Sequence, residues 1–359
     1  MLPILTILAC SMRQALNSFK ESTILFIRDD PYATYKLLKP EFEKRGYTYS
    51  EETKNGLFYV CFTSQDGKTW RFRGSRIGYP FTSKQMKELS VHKEIAYEYV
   101  EKLGVSVPFT RYVRSTDMID ATEAQALVEK YGKLIVKPAN SSLSRGLSLN
   151  ITSPEALNQA IDYGREFKKN VLIQEQLEGE EIRFIIISGK VKAALLRQTA
   201  RVIGDGISTV AELIKAENET RKTLAFPMIS YPQLTEKMIA PELFTDNTVL
   251  AKGEVKELNR ATMIKNGCSV YDVLDQLHPS YLALVESMVS ELDTNFMAAD
   301  LFLKNYKAEK TDDNYWFIEF NTSPVLKLCY GCRDGKMFDV IPPLVTAIDQ
   351  WLHPSQPAL

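Results

Sequence analysis

The alternation of hydrophobic and polar positions predicts a chain of mixed helices and strands without an internal repeat. Apolar residues that recur every three or four positions indicate helices, whereas alternation in steps of two indicates strands. The predicted helices cover residues 32–45, 83–103, 154–167, 209–218 and 342–352. The predicted strands cover residues 23–28, 57–63, 68–73, 134–137, 171–176, 183–188, 297–303 and 315–321. The elements therefore follow one another as consecutive α/β units.

Turn residues divide these elements into a small first domain and a larger second one. Asp66-Gly67 lies between two alternating segments and is typical of a hairpin turn. Residues 73–81 are rich in glycine and proline and are typical of a linker. We therefore expect an α/β N-terminal domain at residues 1–82, followed by a second domain at residues 83–359.

The composition is that of a globular enzyme. The chain has 359 residues, of which 45% are hydrophobic and 25% are charged, so it is long enough for two or three packed units. Lysine and arginine total 44 against 45 for aspartate and glutamate. This balance excludes a global positive field for a nucleic acid, and the composition excludes intrinsic disorder and a disulfide scaffold.

The N-terminal apolar run bears on localisation. Residues 2–10 are too few to span a bilayer, which needs roughly 20 apolar residues. The segment Ile7–Cys10 looks like a lipoprotein cleavage box, but no lysine or arginine precedes it as a signal peptide requires. Five scattered cysteines suit a reducing compartment. We expect a cytoplasmic protein that does not bind a membrane.

Polar side chains interrupt the last predicted strand pair. A period of two places Glu319 and Asn321 on one face of the final strand, together with Phe317. Asp300 is the acid of the neighbouring strand. We interpret the three oxygen donors as ligands of Mg²⁺, which takes a few carboxylate oxygens together with waters and phosphates. The alternative is that both carboxylates pair with nearby lysines at strand ends.

Two further segments are candidates for nucleotide binding. Lys137 ends a hydrophobic strand, and the small-residue loop 140–146 follows it. Backbone N–H groups of such a loop can close over phosphates that the lysine neutralises, although the Walker order of residues is absent. Farther on, a strand runs into a turn at Glu175–Leu177 and exposes backbone groups, as adenine recognition requires. Glu181 could reach a ribose and Arg183 a substrate anion. The alternatives are an ordinary serine-rich turn and an exposed acidic turn.

In this order, these segments resemble the ATP-grasp ligases, most closely the ligase module of cyanophycin synthetases and bifunctional glutathione synthetases. The similarity covers residues 84–340. The stretches that carry it are His92–Pro108, Arg201–Ile214, Lys252–Glu254, Gly267–Pro279 and Glu319–Pro324. The resemblance implies an α+β ATP-grasp fold, in which lobes at about 83–175 and 176–350 grip ATP.

The resemblance also implies a role for each matching residue. Asp300, Glu319 and Asn321 would bind one or two Mg²⁺ ions, for which Mn²⁺ could substitute. The phosphates, adenine and ribose of ATP would be bound by Lys93, Lys137, Ser142, Ser144, Gly146, Gln174, Glu175, Leu177 and Glu181. The γ-phosphate and the substrate carboxylate would be lined by Arg183, Arg197 and Arg201.

The sequence departs from the family pattern mainly at the substrate end. Gln174 stands where relatives carry an acid, and Val325 stands where glycine is common. Lys327 and Cys329 replace an arginine and a histidine of the cyanophycin-like pattern. Ala298 stands where D-alanine ligases carry a basic residue, which argues against that specificity.

The expected function is therefore ATP-dependent ligation of a carboxylate to an amine through an acylphosphate, with an amino acid or small peptide as substrate. The alternatives are a small-molecule kinase and a non-catalytic nucleotide-binding protein. The expected partners are the small-molecule substrates and, as for many such folds, a second copy of the chain in a homodimer.

Overall fold

The computed structural model describes residues 34–73, 79, 81–139, 146–224, 226, 229–292, 294–333 and 337–354. The predicted strand 23–28, the apolar run 2–10, most of the predicted linker, and Ser142 and Ser144 lie outside the described residues. The chain forms two compact units. One comprises residues 1–81, 192–274 and 323–359, and the other comprises residues 82–191 and 275–322.

Helices and strands are interspersed along the described part of the chain. The helices are α1 (Thr34–Lys44), α2 (Lys84–Val91), α3 (Lys93–Lys102), α4 (Ala121–Tyr131), α5 (Pro154–Phe167), α6 (Val210–Thr223), α7 (Pro279–Val289) and α8 (Ile341–Leu352). The strands are β1 (Thr48–Lys54), β2 (Leu57–Thr63), β3 (Thr69–Arg73), β4 (Thr110–Val113), β5 (Leu134–Pro138), β6 (Ser148–Ile151), β7 (Val171–Glu175), β8 (Glu180–Ile187), β9 (Lys190–Gln198), β10 (Arg201–Ile203), β11 (Val255–Glu257), β12 (Ser269–Asp272), β13 (Phe296–Leu303) and β14 (Tyr315–Asn321).

The first unit begins with the antiparallel sheet β1-β2-β3 and helix α1. The hairpin at Asp66-Gly67 is confirmed, because β2 pairs with β3. Strand β1 was not predicted, although the Asn55-Gly56 pair signals a hairpin, and both residues have the positive φ that a type I′ turn requires. The core is aromatic: the rings of Phe42 and Phe62 stack 4.3 Å apart.

The rest of the first unit is built from short strands and two helices. Strands β9 and β12 pair antiparallel, as do β10 and β11. Helix α6 begins with a capping box, in which Thr209 accepts from the backbone of Glu212 while the Glu212 carboxylate accepts from that of Thr209. The C-terminal helix α8 packs against α1.

The second unit contains the sheet β4-β7-β5-β6, in which all neighbouring strands are antiparallel. Helix α5 begins here because Ser153 caps it and Pro154 is its first residue. It packs on the sheet through Leu157 and Ile161, which lie one turn apart on its buried face. Its bounds agree with the prediction. Strands β8, β13 and β14 are also antiparallel, with β13 in the middle.

The predicted helix 83–103 is wrong in one respect, since it is two helices. His92 has an extended conformation, with φ −103° and ψ 92°, so α2 ends before it and α3 begins at Lys93. No glycine or proline marks this break, so the hydrophobic period alone could not locate it. Both helices contact β14. In the described part of the chain, no helix is long and apolar enough to cross a membrane.

The turn before β8 depends on a glycine. Gly179 has φ 137°, and a Cβ there would lie 2.4 Å from the backbone oxygen of Leu303. We expect Gly179→Ala to lower the free energy of unfolding by about 1–3 kcal/mol, because it adds a clash with backbone to a strained φ. Gly189→Ala is the control: its φ is 71°, but a Cβ would meet nothing within 4 Å. Equal losses for the two variants in urea denaturation would contradict the clash.

Candidate functional site

The pairing of β13 with β14 gathers the predicted metal ligands. Asp300 lies directly opposite Glu319, and Ala298 lies opposite Asn321. The Asn321 amide nitrogen is 3.4 Å from a carboxylate oxygen of Asp300 and 3.4 Å from one of Glu319. The three side chains expected to bind Mg²⁺ therefore lie together on one face of the sheet.

The position of Phe317 is a correction to the sequence analysis. It was expected on the face of Glu319, but a β-bulge shifts the register, so that Phe317 lies opposite Leu301 and Phe320 lies opposite Ala299. Both rings therefore share one face, with centroids 4.5 Å apart. The cause is the extra residue of the bulge, which breaks the period of two.

Arg183 forms a buried ion pair with Asp300. The two residues are opposite each other on β8 and β13. The Arg183 Nε and Nη2 atoms donate to the two oxygens of Asp300 at 2.7 and 2.5 Å, and Nη2 is 3.9 Å from Glu319. Asp300 is 1% exposed and Arg183 8%. Burial lowers the pKa of Arg183, but the Asp300 carboxylate more than compensates and raises it, which favours the charged guanidinium.

Glu319 lies among cations. Its Oε2 atom is 2.8 Å from Nζ of Lys93, the first residue of α3. Burial raises the pKa of Glu319, but Lys93, Lys137 and Arg183 outweigh it and lower the pKa to about 2. The carboxylate is therefore ionised at neutral pH, and Lys93 is its nearest cation.

The pKa of Lys137, on β5, is lowered as well, which in a lysine favours the neutral form. Burial, and then the repulsion of Lys93, lower its pKa to about 7, while Glu319 and Glu181 partly offset them. An amine with this pKa gains a full charge when a polyanion such as a phosphate chain binds beside it. The structure thus brings Lys137 and Glu181 into the electrostatic surroundings of Glu319 and Lys93.

The segment expected to contact adenine holds its polar side chains in the fold. Gln174 is 1% exposed, and its amide donates to the hydroxyls of Thr110 at 2.6 Å and Tyr97 at 3.2 Å. Glu175 accepts from the backbone of Phe109 at 2.8 Å. Leu177 is partly exposed. The side chains of Gln174 and Glu175 therefore brace this segment, and the backbone N–H of Gln176 donates to the Lys133 carbonyl at 2.9 Å.

Tyr97 is a residue that the sequence analysis missed. It lies one turn after Lys93 on α3, accepts from Gln174, and packs edge-on against the ring of Phe317, with centroids 6.1 Å apart. It thereby ties the helix of Lys93 both to β7 and to the strand of Glu319. The only signal in the sequence was the spacing of four residues between Lys93 and Tyr97, which share one helix face.

The remaining candidates belong to other elements of the fold. Arg197 and Arg201 belong to the first unit, where Arg197 donates to the Thr262 carbonyl and Arg201 lies 3.6 Å from Glu257. Of the small-residue loop, Gly146 is described. It has φ 73°, and a Cβ there would lie 2.8 Å from both Phe167 and Pro138, so only glycine fits at the foot of the loop.

The side chains of Asp300, Glu319 and Asn321 suit a Mg²⁺ ion that also binds phosphate oxygens. Two carboxylates and one amide supply hard oxygen ligands, which Mg²⁺ prefers. No group of three or more histidine, cysteine, aspartate or glutamate side chains that could hold a metal is found in the described ranges. Phosphate oxygens and waters would complete the coordination that these three side chains begin. Cys329 and Cys332 are buried thiols.

Comparison with known proteins adds family information. The family "D-ala D-ala ligase C-terminus" matches residues 99–210. The bifunctional glutathione biosynthesis protein of Streptococcus agalactiae serotype V is 27% identical over 226 residues, which is 60% of this chain and 30% of that protein. The cyanophycin synthetase of Geminocystis herdmanii is 25% identical over 278 residues, 75% of this chain and 31% of that one. The chain thus spans about a third of the length of these relatives.

A solved structure has a similar fold. The crystal structure of a bifunctional glutathione synthetase from Pasteurella multocida superposes with a TM-score of 0.61 and 19% sequence identity. The match covers 92% of this chain and 46% of that chain. At this level of identity the likeness concerns the fold.

Proposed function

We propose that the chain is an ATP-dependent carboxylate–amine ligase of the ATP-grasp superfamily. One observation carries the proposal: the carboxylates of Asp300 and Glu319 lie within a group of basic side chains that includes Lys93 and Lys137. Such a site can hold a polyphosphate and a divalent ion together. The names of the relatives point to amino acids or small peptides as substrates.

The mechanism assigns each part of the site a task. Lys93 and Lys137 bind and neutralise phosphate oxygens, while the backbone of residues 175–177 contacts the base. Asp300, Glu319 and Asn321 would hold Mg²⁺, which supplies charge neutralisation for in-line phosphoryl transfer. The substrate carboxylate receives the γ-phosphate, and an amine then displaces phosphate from the acylphosphate to form an amide. This sequence requires no nucleophile from the protein. We further propose that Arg197 and Arg201 bind the substrate anion.

A trapping experiment tests the proposal. ADP release from Mg-ATP is measured with pooled amino acids and short peptides, with and without hydroxylamine, which converts an acylphosphate into a hydroxamate. A hydroxamate supports the ligase, and its mass identifies the carboxylate. ADP with a stable phosphorylated product and no hydroxamate would favour a kinase instead. Nucleotide binding without any ADP would favour a non-catalytic protein. Either of these results would contradict the proposal.

The low pKa of Lys137 predicts proton uptake when nucleotide binds. At pH 8 the free protein holds this lysine largely neutral, because its pKa is about 7, and phosphates raise that pKa by favouring the charged form. We expect ATP binding to be accompanied by the uptake of a substantial fraction of a proton on Lys137 at pH 8, and of little at pH 6. Isothermal titration calorimetry in buffers of different ionisation enthalpy measures the uptake. Lys137→Met should abolish it, whereas the exposed Lys133→Met should not.

A further inference from the structure

The contact between Lys93 and Glu319 joins two groups that the proposed function uses separately. The proposed function places Lys93 on phosphate and Glu319 on metal, yet here they lie 2.8 Å apart. Their side chains are 12% and 29% exposed, respectively. The ion pair is therefore partly shielded from water. While it is intact, Lys93 cannot fully bind a phosphate and Glu319 cannot fully bind a metal ion.

The two carboxylates are paired in different ways. Asp300 receives a two-point fork from Arg183 inside the sheet, which fixes both planes. Glu319 receives one ammonium at the end of a flexible four-carbon chain. Exchange of a partner is therefore easier at Glu319 than at Asp300.

The helix that carries Lys93 is fixed close to this residue. One turn along α3, Tyr97 is held by the Gln174 amide and by the ring of Phe317. Since these contacts hold the helix in place, the ammonium can leave Glu319 only by a rotation of the Lys93 side chain.

We propose that Lys93 is an exchangeable counter-ion that pairs with Glu319 until a divalent cation binds there and then moves to the nucleotide phosphates. The inference rests on the proposed function, because it needs nucleotide and metal to share the site. It implies that a divalent cation alone binds weakly, since it must displace the ammonium. Phosphates favour the exchange because they offer Lys93 a second anionic partner.

The test measures binding rather than turnover. Mn²⁺ without nucleotide is titrated by electron paramagnetic resonance, and ATP without divalent ions is titrated by calorimetry, in the wild type and in Lys93→Met. Loss of a positive charge at this distance is expected to strengthen Mn²⁺ binding and weaken ATP binding, each by about tenfold. These opposite signs distinguish exchange from a structural role, which would weaken both.

Control variants separate the outcomes. Lys102→Met, at the exposed end of the same helix, should leave both affinities unchanged, and Lys93→Arg should keep Mn²⁺ binding weak. If Lys93→Met leaves Mn²⁺ binding unchanged or weakens it, the exchange is refuted even when the wild type hydrolyses ATP. If the wild type binds no nucleotide with or without Mn²⁺, the proposed function fails as well.

Discussion

Replacing Glu319 with glutamine is expected to lower ADP release by about 100-fold or more, because the metal and its charge neutralisation supply several kcal/mol to phosphoryl transfer. The side chain keeps its shape but loses the charge that Lys93, Lys137 and Arg183 surround. Steady-state ADP release at saturating Mg-ATP, with the best substrate from the trapping experiment, measures the loss. Raising Mg²⁺ should recover only part of it.

The fold must be shown to survive in this variant. Glu319 is partly exposed, so circular dichroism and thermal unfolding should show a folded protein. Glu309→Gln, in the exposed loop between β13 and β14, is the matched control and should retain activity. Near-normal turnover by Glu319→Gln would refute the assignment of this carboxylate to the metal.

The sequence predicted those parts of the molecule that local chemistry determines. Helix α5 was found because its cap, its proline and its apolar spacing all lie within fifteen residues. The Asp300, Glu319 and Asn321 group was found because polar residues stand out within apolar strands. In both cases the signal is contained in one or two adjacent elements.

The sequence could not predict what depends on register between strands. The bulge in β14 reverses the expected face of Phe317, and no glycine marks it. The partner of Arg183 follows from the alignment of β8 with β13, because Arg183 and Asp300 lie 117 positions apart in the chain. The resemblance placed Arg183 on substrate, whereas its guanidinium contacts Asp300. Tyr97 likewise acquires its role only from packing.

The second large effect is expected on stability. Arg183→Met should lower the free energy of unfolding by about 3–5 kcal/mol, because it leaves the Asp300 carboxylate buried without its partner. The expected loss is large because the carboxylate is buried: Asp300 is 1% exposed, and both its oxygens accept from Arg183. Urea denaturation, with the m-value checked for constancy, measures the loss.

A double variant separates the buried charge from the loss of packing. Arg183→Met combined with Asp300→Leu removes both charges, and it should be more stable than Arg183→Met alone, since replacing a whole buried ion pair by apolar groups is often nearly neutral. Arg111→Met is the surface control in the same unit. Its partner Glu123 lies at 2.9 Å, but the side chains are 40% and 35% exposed, so the loss should stay below about 1 kcal/mol. Equal losses for Arg183→Met and Arg111→Met would mean that water reaches Asp300, and the carboxylate would then need no partner from β8.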